Sequence, residues 1–416
     1  MRRAGASVLA ARLASLLTAL SVPFVVCSRQ ARYYALAAAV TLLVAGTYAA
    51  LSRQIGAGPG RPGHRAAVAF GVSICLLVLS FDLTALGVLG GVGAHWLLTR
   101  SGRDRWDRRW VVPYATACLL LGAWLALSLT APSRREIGDL GPRLRIGLSY
   151  YLGQLDAHIV PLPYLALLLG LTRRRGTGDS SAAALLACLA LGGLGGATLA
   201  PSRFFRYIVP VAPLALGLAA LGLSALATRG RAGRVLSGAL VVAVVTSTAP
   251  FVVSHALLAT LARATGLVTV RDRPLAYRVP LADLFRELRD PPRGPIAAVV
   301  EHLRANARPG QAIVTTYGEL PLKFHTNLRV YGGETAELPP DNARAEWLWR
   351  RTLTGPAYRE IRESVDWVDR RLAQGGYRRV GLPAADRRWE NREDPEWHVF
   401  TNPGPAAPPV VLYVQD

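Results

Sequence analysis

Ile74-Cys75-Leu76-Leu77-Val78-Leu79-Ser80-Phe81-Asp82-Leu83-Thr84-Ala85-Leu86-Gly87 is the stretch on which the fold turns, because it lies in the middle of an apolar run from Ala66 to Leu98. Taken as one long helix, that run sends the next loop, with Arg100, Arg103, Arg105, Arg108 and Arg109, to the outer side of a membrane. Taken as two crossings, Ala66–Leu79 and Leu83–Leu98, it keeps those arginines inside. Positive residues are biased to the inner side of a membrane. The break at Phe81-Asp82 follows from that bias.

With this break the apolar segments are Val8–Val26, Ala35–Leu51, Ala66–Leu79, Leu83–Leu98, Val111–Leu129, Ile159–Leu171, Ala182–Ala200, Ile208–Ala227 and Val235–Leu261. They predict a polytopic all-α membrane bundle of about nine helices. Ala66–Leu79 and Ile159–Leu171 fall short of the usual ~17–25 residues, and either could be re-entrant. An inside N-terminus places 16 loop arginines inside and 8 outside, namely Arg29, Arg32, Arg134, Arg135, Arg143, Arg145, Arg203 and Arg206. The first segment reads as a retained helix. It contains Arg12 and runs into Pro23-Phe24 and two arginines rather than a small-residue cleavage site.

An odd number of crossings puts residues 263–416 on the far side, where the composition turns polar and proline-punctuated. Ile296, Val299, Val300 and Leu303 recur at helical spacing. Arg308-Pro309-Gly310 then turns the chain into the strand-like Ala312-Ile313-Val314-Thr315-Thr316-Tyr317. A second amphipathic helix carries Ile361, Val365, Val368 and Leu372, and Val410-Val411-Leu412-Tyr413-Val414 reads as a closing strand. The expectation is a transmembrane helical domain over 1–262 and a small extracytoplasmic, soluble α/β domain over 263–416.

The 416 residues carry a formal net charge of +21, with 51% hydrophobic residues and a positive mean hydropathy. Almost all the positive charge is arginine, in short loops between apolar runs, which speaks against a nucleic-acid-binding face. The four cysteines, Cys27, Cys75, Cys118 and Cys188, lie in or beside apolar segments and imply no disulfide framework. The seven histidines have no metal-ligand spacing and read as surface or interfacial residues, so no metal and no cofactor is expected.

The outside arginines go against the charge bias, and they cluster in three places: Ser28–Arg32, Arg134–Arg145 and Arg203–Arg206. Snorkelling beside aromatic neighbours accounts for any one cluster. Convergence of the three on a phosphate is the functional reading, since the arginine fork offers several donors and tyrosines add hydroxyls. Arg32, Tyr33, Arg203, Arg206 and Tyr207 are the phosphate-binding candidates, with Ser28 and Arg29 beside them. Asp82, at the break between two crossings, is the candidate catalytic acid or base. Glu136, Asp139 and Asp156 share the long outside loop, in which Leu144, Leu148 and Leu152 are spaced for an interfacial helix, and any of these acids could likewise be a general base that takes a proton from a hydroxyl. Glu136 and Asp139 could equally balance nearby arginines. Glu319, in the loop after the first strand of the tail, could face a ligand or simply connect two elements. No phosphate-binding glycine loop and no nucleophile elbow occurs.

Val22-Pro23-Phe24-Val25-Val26-Cys27-Ser28-Arg29-Gln30-Ala31-Arg32-Tyr33-Tyr34-Ala35-Leu36 resembles the stretch of the GT-C fold glycosyltransferases in which a Pro-ended helix leads into a Ser-x-x-Ala-Arg-x-Tyr element on the outer face. That group includes protein O-mannosyltransferases and the aminoarabinose transferases of lipid A. Arg203-Phe204-Phe205-Arg206-Tyr207-Ile208-Val209-Pro210-Val211-Ala212-Pro213 is similar to the family's later Arg-Tyr, Pro-x-x-Pro span. The resemblance implies a plasma-membrane (cell inner membrane) glycosyltransferase with a cytoplasmic N-terminus. It would move a sugar, with inversion, from a polyprenyl-phosphate donor within membrane lipid to a hydroxyl of a glycan, lipid or protein acceptor. In the family the Ser-x-x-Ala-Arg-x-Tyr element follows the third or so helix, and an acidic catalytic loop precedes it. Here the element follows the first span, and Gln30 stands where many members carry an acid. The chain is therefore expected to lack two helices and that loop. A non-catalytic lipid-phosphate-binding paralogue or assembly subunit, and a flippase of lipid-linked sugars, are the rival readings.

Overall fold

The computed structural model describes residues 6–29, 33–57, 64–129, 140–172, 178–200, 203–265, 275, 277–290, 294–333, 337–340, 345–351, 359–386, 395 and 407–416. The chain divides into two compact units, Met1–Leu284 with Glu393–Pro395, and Phe285–Arg392 with Glu396–Asp416.

The first unit is helical: α1 Val8–Leu20, α2 Val22–Arg29, α3 Tyr33–Gly56, α4 His64–Ser80, α5 Asp82–Thr99, α6 Arg108–Leu129, α7 Leu140–His158, α8 Leu162–Thr172, α9 Gly178–Thr198, α10 Ala212–Ala227, α11 Arg231–Thr246 and α12 Ala249–Thr265. Helix α13, Pro280–Arg289, carries the boundary between the units. Among the described residues, α3, Arg108–Leu127 of α6 and Ser180–Thr198 of α9 are each long and apolar enough to cross a membrane. Three bent pairs also pass when counted as single spans, so the candidates number three to six. The apolar run from Ala66 to Leu98 is interrupted at Phe81, the residue before α5.

Two expected spans are broken, and the helix expected to lie at the interface packs into the bundle. Val8–Val26 bends by 59° between α1 and α2, and Val235–Leu261 bends by 90° between α11 and α12. Proline explains both, because Pro23 and Pro250 sit in the first turn of the second helix, where a missing N–H costs nothing. The second bend is also latched. The Ser247 hydroxyl accepts from the Ala249 amide at 3.0 Å, and Thr248 exchanges backbone and hydroxyl hydrogen bonds with Arg278. Leu144, Leu148 and Leu152 lie on α7, which packs against α9 and α12 and buries Tyr151, Leu155 and Asp156. An interfacial helix would bury no carboxylate, so α7 belongs to the bundle. Leu144–His158 and Leu162–Gly170 form the third bent pair, at 81°, with Pro161 at the corner.

The closest helix contact is glycine against glycine. A Cβ on Gly87 would collide with the backbone of Gly192, one on Gly91 with that of Cys188, and one on Gly196 with that of Leu83. Paired small residues four apart let two backbones approach without side chains between them. Helices α5 and α9 are thereby locked antiparallel, and Gly193 presses on Val211 just before α10. At the other end of α5 a ring cluster of Tyr48, Phe70, Trp96, Trp110 and Tyr114 includes Trp96 stacked on Trp110 at 4.6 Å. Arg100 donates there to the carbonyl and hydroxyl of Ser52. Helix α6 starts beside it because Asp107 accepts from the Arg109 amide at 2.8 Å and from its guanidinium. The Arg109 guanidinium holds the Asp107 carboxyl below the usual carboxylate range. That cap is intact above the ordinary carboxylate pKa and is lost as pH falls through the lowered one.

The second unit is a five-stranded sheet in the order β2-β1-β3-β5-β4, formed by β1 Ala312–Thr315, β2 Arg329–Gly332, β3 Trp347–Trp349, β4 Tyr377–Ala385 and β5 Pro409–Gln415. Strand β1 is parallel to β2 and β3, and β5 is antiparallel to β3 and β4. Side chains alternate faces along a strand. Ile313 thus packs with Val299, Val300 and Leu303 of α14, Pro295–Asn306, while Ala312 and Val314 pack with Trp367 and Val368 of α16, Arg359–Gln374. A short α15, Glu319–His325, links β1 to β2. Arg351, after β3, is buried and donates to the buried Asp386 at 3.0 Å, with its guanidinium over Trp349 and Tyr317.

Gly91→Leu should lower the melting temperature of the detergent-solubilised chain, at a cost of about 1–3 kcal/mol for overpacking. Gly90→Ala, where a Cβ meets nothing within 4 Å, should leave it unchanged or raise it. Arg351→Ala should cost about 3–5 kcal/mol by stranding a buried carboxylate, read as lost hydrogen-exchange protection in β1 and β3 of the full chain, and a joint Asp386→Leu change should restore most of it.

Candidate functional site: an arginine–tyrosine cluster beside a buried carboxylate

Between α9 and α10 the chain makes one 3-10 turn, Phe205–Ile208. Residues three apart eclipse in such a turn, so Phe205 and Ile208 share a face, and both are fully buried. Arg206 and Tyr207 take the other directions and remain partly exposed. The Arg206 guanidinium carbon lies 4.0 Å from the ring centre of Phe204, 5.7 Å from that of Tyr207 and 5.8 Å from that of Tyr34.

The start of α3 meets this turn. The Tyr33 and Tyr34 hydroxyls are 2.8 Å apart, and both rings lie 5.5 Å from Phe81. Phe81 is 5.8 Å from Tyr207, and Tyr34 is 6.2 Å from Tyr207. Residues just after the first arginine cluster, residues of the third and the break before Asp82 therefore form one group of rings, of which Tyr34 and Tyr207 lie beside Arg206. Tyr34 is buried, whereas Tyr33 is 48% exposed and Arg203 is exposed. The charges of Arg203 and Arg206 are within electrostatic range of the buried Tyr151 hydroxyl. An arginine over aromatic faces is held by about 0.5–2 kcal/mol per cation–π contact.

The other sequence candidates are placed differently. Arg32, Glu136 and Asp139 lie outside the described residues, as do Arg134 and Arg135 of the middle cluster. Asp82 opens α5 next to Phe81, but its side chain is also outside the description. The Ser28 hydroxyl donates to the Phe24 carbonyl at 2.8 Å, and Arg29 is the exposed last residue of α2. Glu319 belongs to the second unit, where it is buried at the start of α15 against Gly333.

Behind the turn is a polar node of which the sequence singles out only Asp156, as one of four possible general bases. Asp156, in the last turn of α7, has 0% exposure. Its Oδ1 accepts from the Ser254 hydroxyl at 2.6 Å and from the Leu162 amide at 2.8 Å, and its Oδ2 lies 3.6 Å from His255 Nδ1. His158, two residues on, sets its ring edge-on to Phe205 at 6.0 Å. The histidines are thus not all surface or interfacial groups: His255 has a side chain only 13% exposed, and His95 is buried with its Nδ1 2.7 Å from the Tyr48 hydroxyl. Among the described residues no group of three or more His, Cys, Asp and Glu side chains could hold a metal ion.

The arrangement offers an anion a guanidinium and tyrosine hydroxyls at one end of the bundle, and a carboxylate–imidazole pair next to it. Compared with protein-family models, curated proteins and solved structures, the chain gives no match.

Proposed function

We propose that the chain is a multi-pass plasma-membrane glycosyltransferase that holds a polyprenyl-phosphate sugar by its phosphate at the Arg206 cluster and transfers the sugar to an acceptor hydroxyl. The observation that supports the reading is Arg206 set over the rings of Phe204, Tyr207 and Tyr34, with Phe81 and Tyr33 packed against those tyrosines. From Tyr34 to Ser52, α3 advances about 27 Å at 1.5 Å per residue, close to the ~30 Å hydrocarbon core of a bilayer. The Arg206 cluster and the Arg100 cluster sit at the two ends of that advance, where tyrosine, tryptophan and arginine anchor a crossing helix.

Taking each long apolar helix, each bent pair and each of the shorter helices His64–Ser80, Leu83–Thr99 and Ala212–Ala227 as one crossing gives nine. Nine crossings with a cytoplasmic N-terminus put the Arg206 cluster and the second unit on the outer face. In the GT-C-like scheme the phosphate is the leaving group. Arg206, Arg203 and Arg32 would neutralise its growing charge while Tyr33 and Tyr207 orient it, and the apolar bundle would take the polyprenyl chain. A binding-only paralogue or a flippase would share the phosphate site but move no sugar.

Arg206→Ala should raise the Kd of a short-chain polyprenyl phosphate in detergent about 10-fold or more, because a charge-assisted hydrogen bond contributes about 1.5–3 kcal/mol. Unchanged affinity removes the cluster from the donor site. Sugar transfer by the wild-type chain in proteoliposomes separates the enzyme from the two rivals.

A further inference from the structure

Helix α13, Pro280–Arg289, carries its side chains inverted relative to a helix in water. Leu281, Phe285 and Leu288 stand at i, i+4 and i+7 and so share one face, on which Phe285 is 67% and Leu288 51% exposed. The opposite face carries the acids, and there Asp283 is buried and Glu287 half-buried. Just ahead of the helix Tyr277 is 71% and Val279 50% exposed. A group of large apolar side chains turned outward while carboxylates turn inward marks a surface that is covered when the protein is in place. Arg289 stands on the flank of the apolar face with Arg286 beyond it, and both are exposed.

The start of α13 is tied to the end of a membrane crossing, which decides what covers it. Helix α11 exposes Val235, Leu236 and Val242 along its length and advances about 24 Å at 1.5 Å per residue, most of the ~30 Å hydrocarbon core. With Arg231 and Arg234 at one membrane edge, the bend at Ser247-Thr248 reaches the other. There the Thr248 amide donates to the Arg278 carbonyl at 3.0 Å, and its hydroxyl accepts from the Arg278 amide at 2.8 Å. The Arg278 guanidinium lies 3.3 Å from the Asp283 carboxylate, a charged pair that is costly in hydrocarbon and at ease among headgroups. We propose that α13 is an interfacial helix, seated in the membrane surface with Leu281, Phe285 and Leu288 at the edge of the acyl chains and Arg286 and Arg289 reaching toward lipid phosphates. Asp283 and Glu287 balance Arg286 and Arg289, so the partner is the phospholipid bilayer itself, with no requirement for anionic lipid. The division between the two units falls inside this helix, after Leu284, so the second unit starts from a helix held at the membrane. The inference rests on α11 crossing the membrane and is independent of sugar transfer.

The test uses the full-length chain, as wild type, Phe285→Trp and Leu288→Trp, in phosphatidylcholine liposomes with bromine part-way along the acyl chains and in the same lipid without bromine. Bromine quenches a tryptophan that touches it, and the nine native tryptophans are subtracted through the wild type. An alkaline wash first removes protein that has not inserted. The added tryptophan should lose about half of its fluorescence or more in the brominated lipid, as a ring at the boundary of headgroups and acyl chains does. An inserted variant whose added tryptophan is not quenched by bromine overturns the assignment, and a water-soluble quencher then names the alternative. Quenching by iodide shows a face in water, whereas shielding from iodide together with a cross-linked dimer shows a second copy of the chain on it. A wild type stripped by the wash removes the crossing itself, and the functional reading with it. A wild type that inserts but moves no sugar leaves α13 where it is placed.

Discussion

The approach of α5 to α9, backbone on backbone at Gly87, Gly91, Gly192 and Gly196, sets the geometry of the helical unit. Within a bilayer, apolar side chains gain little by leaving lipid for one another, so close van der Waals fit and the absence of intervening side chains do more of the work. The antiparallel seam brings the start of α5 next to the end of α9. The segments that continue outward, Phe81 from one helix and Phe204–Tyr207 from the other, must then meet. The aromatic cage around Arg206 is a consequence of four missing Cβ atoms some turns away, and Gly193 against Val211 carries the same constraint into α10.

One buried polar group of this bundle, the Oδ1 of Asp156, takes its donors from breaks in the helices. A carboxylate as deep as Asp156 needs donors, and hydrocarbon supplies none. Pro161 ends the α7 ladder and frees the Leu162 amide, which turns to Asp156, and the bent pair α11 and α12 delivers Ser254 and His255 to the same place. The bends between α7 and α8 and between α11 and α12 are thus tied to the polar chemistry. The charge is distributed unevenly as well. The 19 basic and 18 acidic residues of 285–416 nearly cancel, so nearly all of the +21 net charge lies on the helical unit. Arginine there gathers at the helix ends, where aromatic faces and backbone carbonyls hold it.

The places of the helices were legible because apolar runs and arginine loops are strong, local signals, and the break at Phe81 followed from charge bias alone. The second unit was legible for the same reason: periodicity switches from 3.6 at Ile296–Leu303 to 2 at Ala312–Tyr317, and α14 and β1 stand there. What could not be read were relations between distant residues. Asp156 and His255 are 99 positions apart with no motif joining them, so the sequence marks Asp156 as one possible base among four acids and gives no reason to pair it with a histidine. The signal that was available and passed over is the matched pair Gly87-x-x-x-Gly91 and Gly192-x-x-x-Gly196, each in an apolar run. It predicts that two helices touch, and from that contact the meeting of Phe81 with the Arg203–Tyr207 segment follows. The bends at Ser21 and Ser247 were written in Pro23 and Pro250, but a proline in the first turn of a second helix looks, in sequence, like a proline inside one long helix.

The 3-10 turn Phe205–Ile208 joins the two polar centres more rigidly than a loop would. Its tight repeat leaves Phe205 and Ile208 no choice but to share a buried face, and that face abuts His158; the same repeat turns Arg206 and Tyr207 toward the rings of α3. A turn anchored by two fully buried side chains cannot rotate one face without moving the other, because packed interiors deform in discrete steps rather than continuously. The placement of Arg206 relative to the end of α7 is therefore set by the buried packing of His158 on Phe205, and through it by the helices that carry those two side chains.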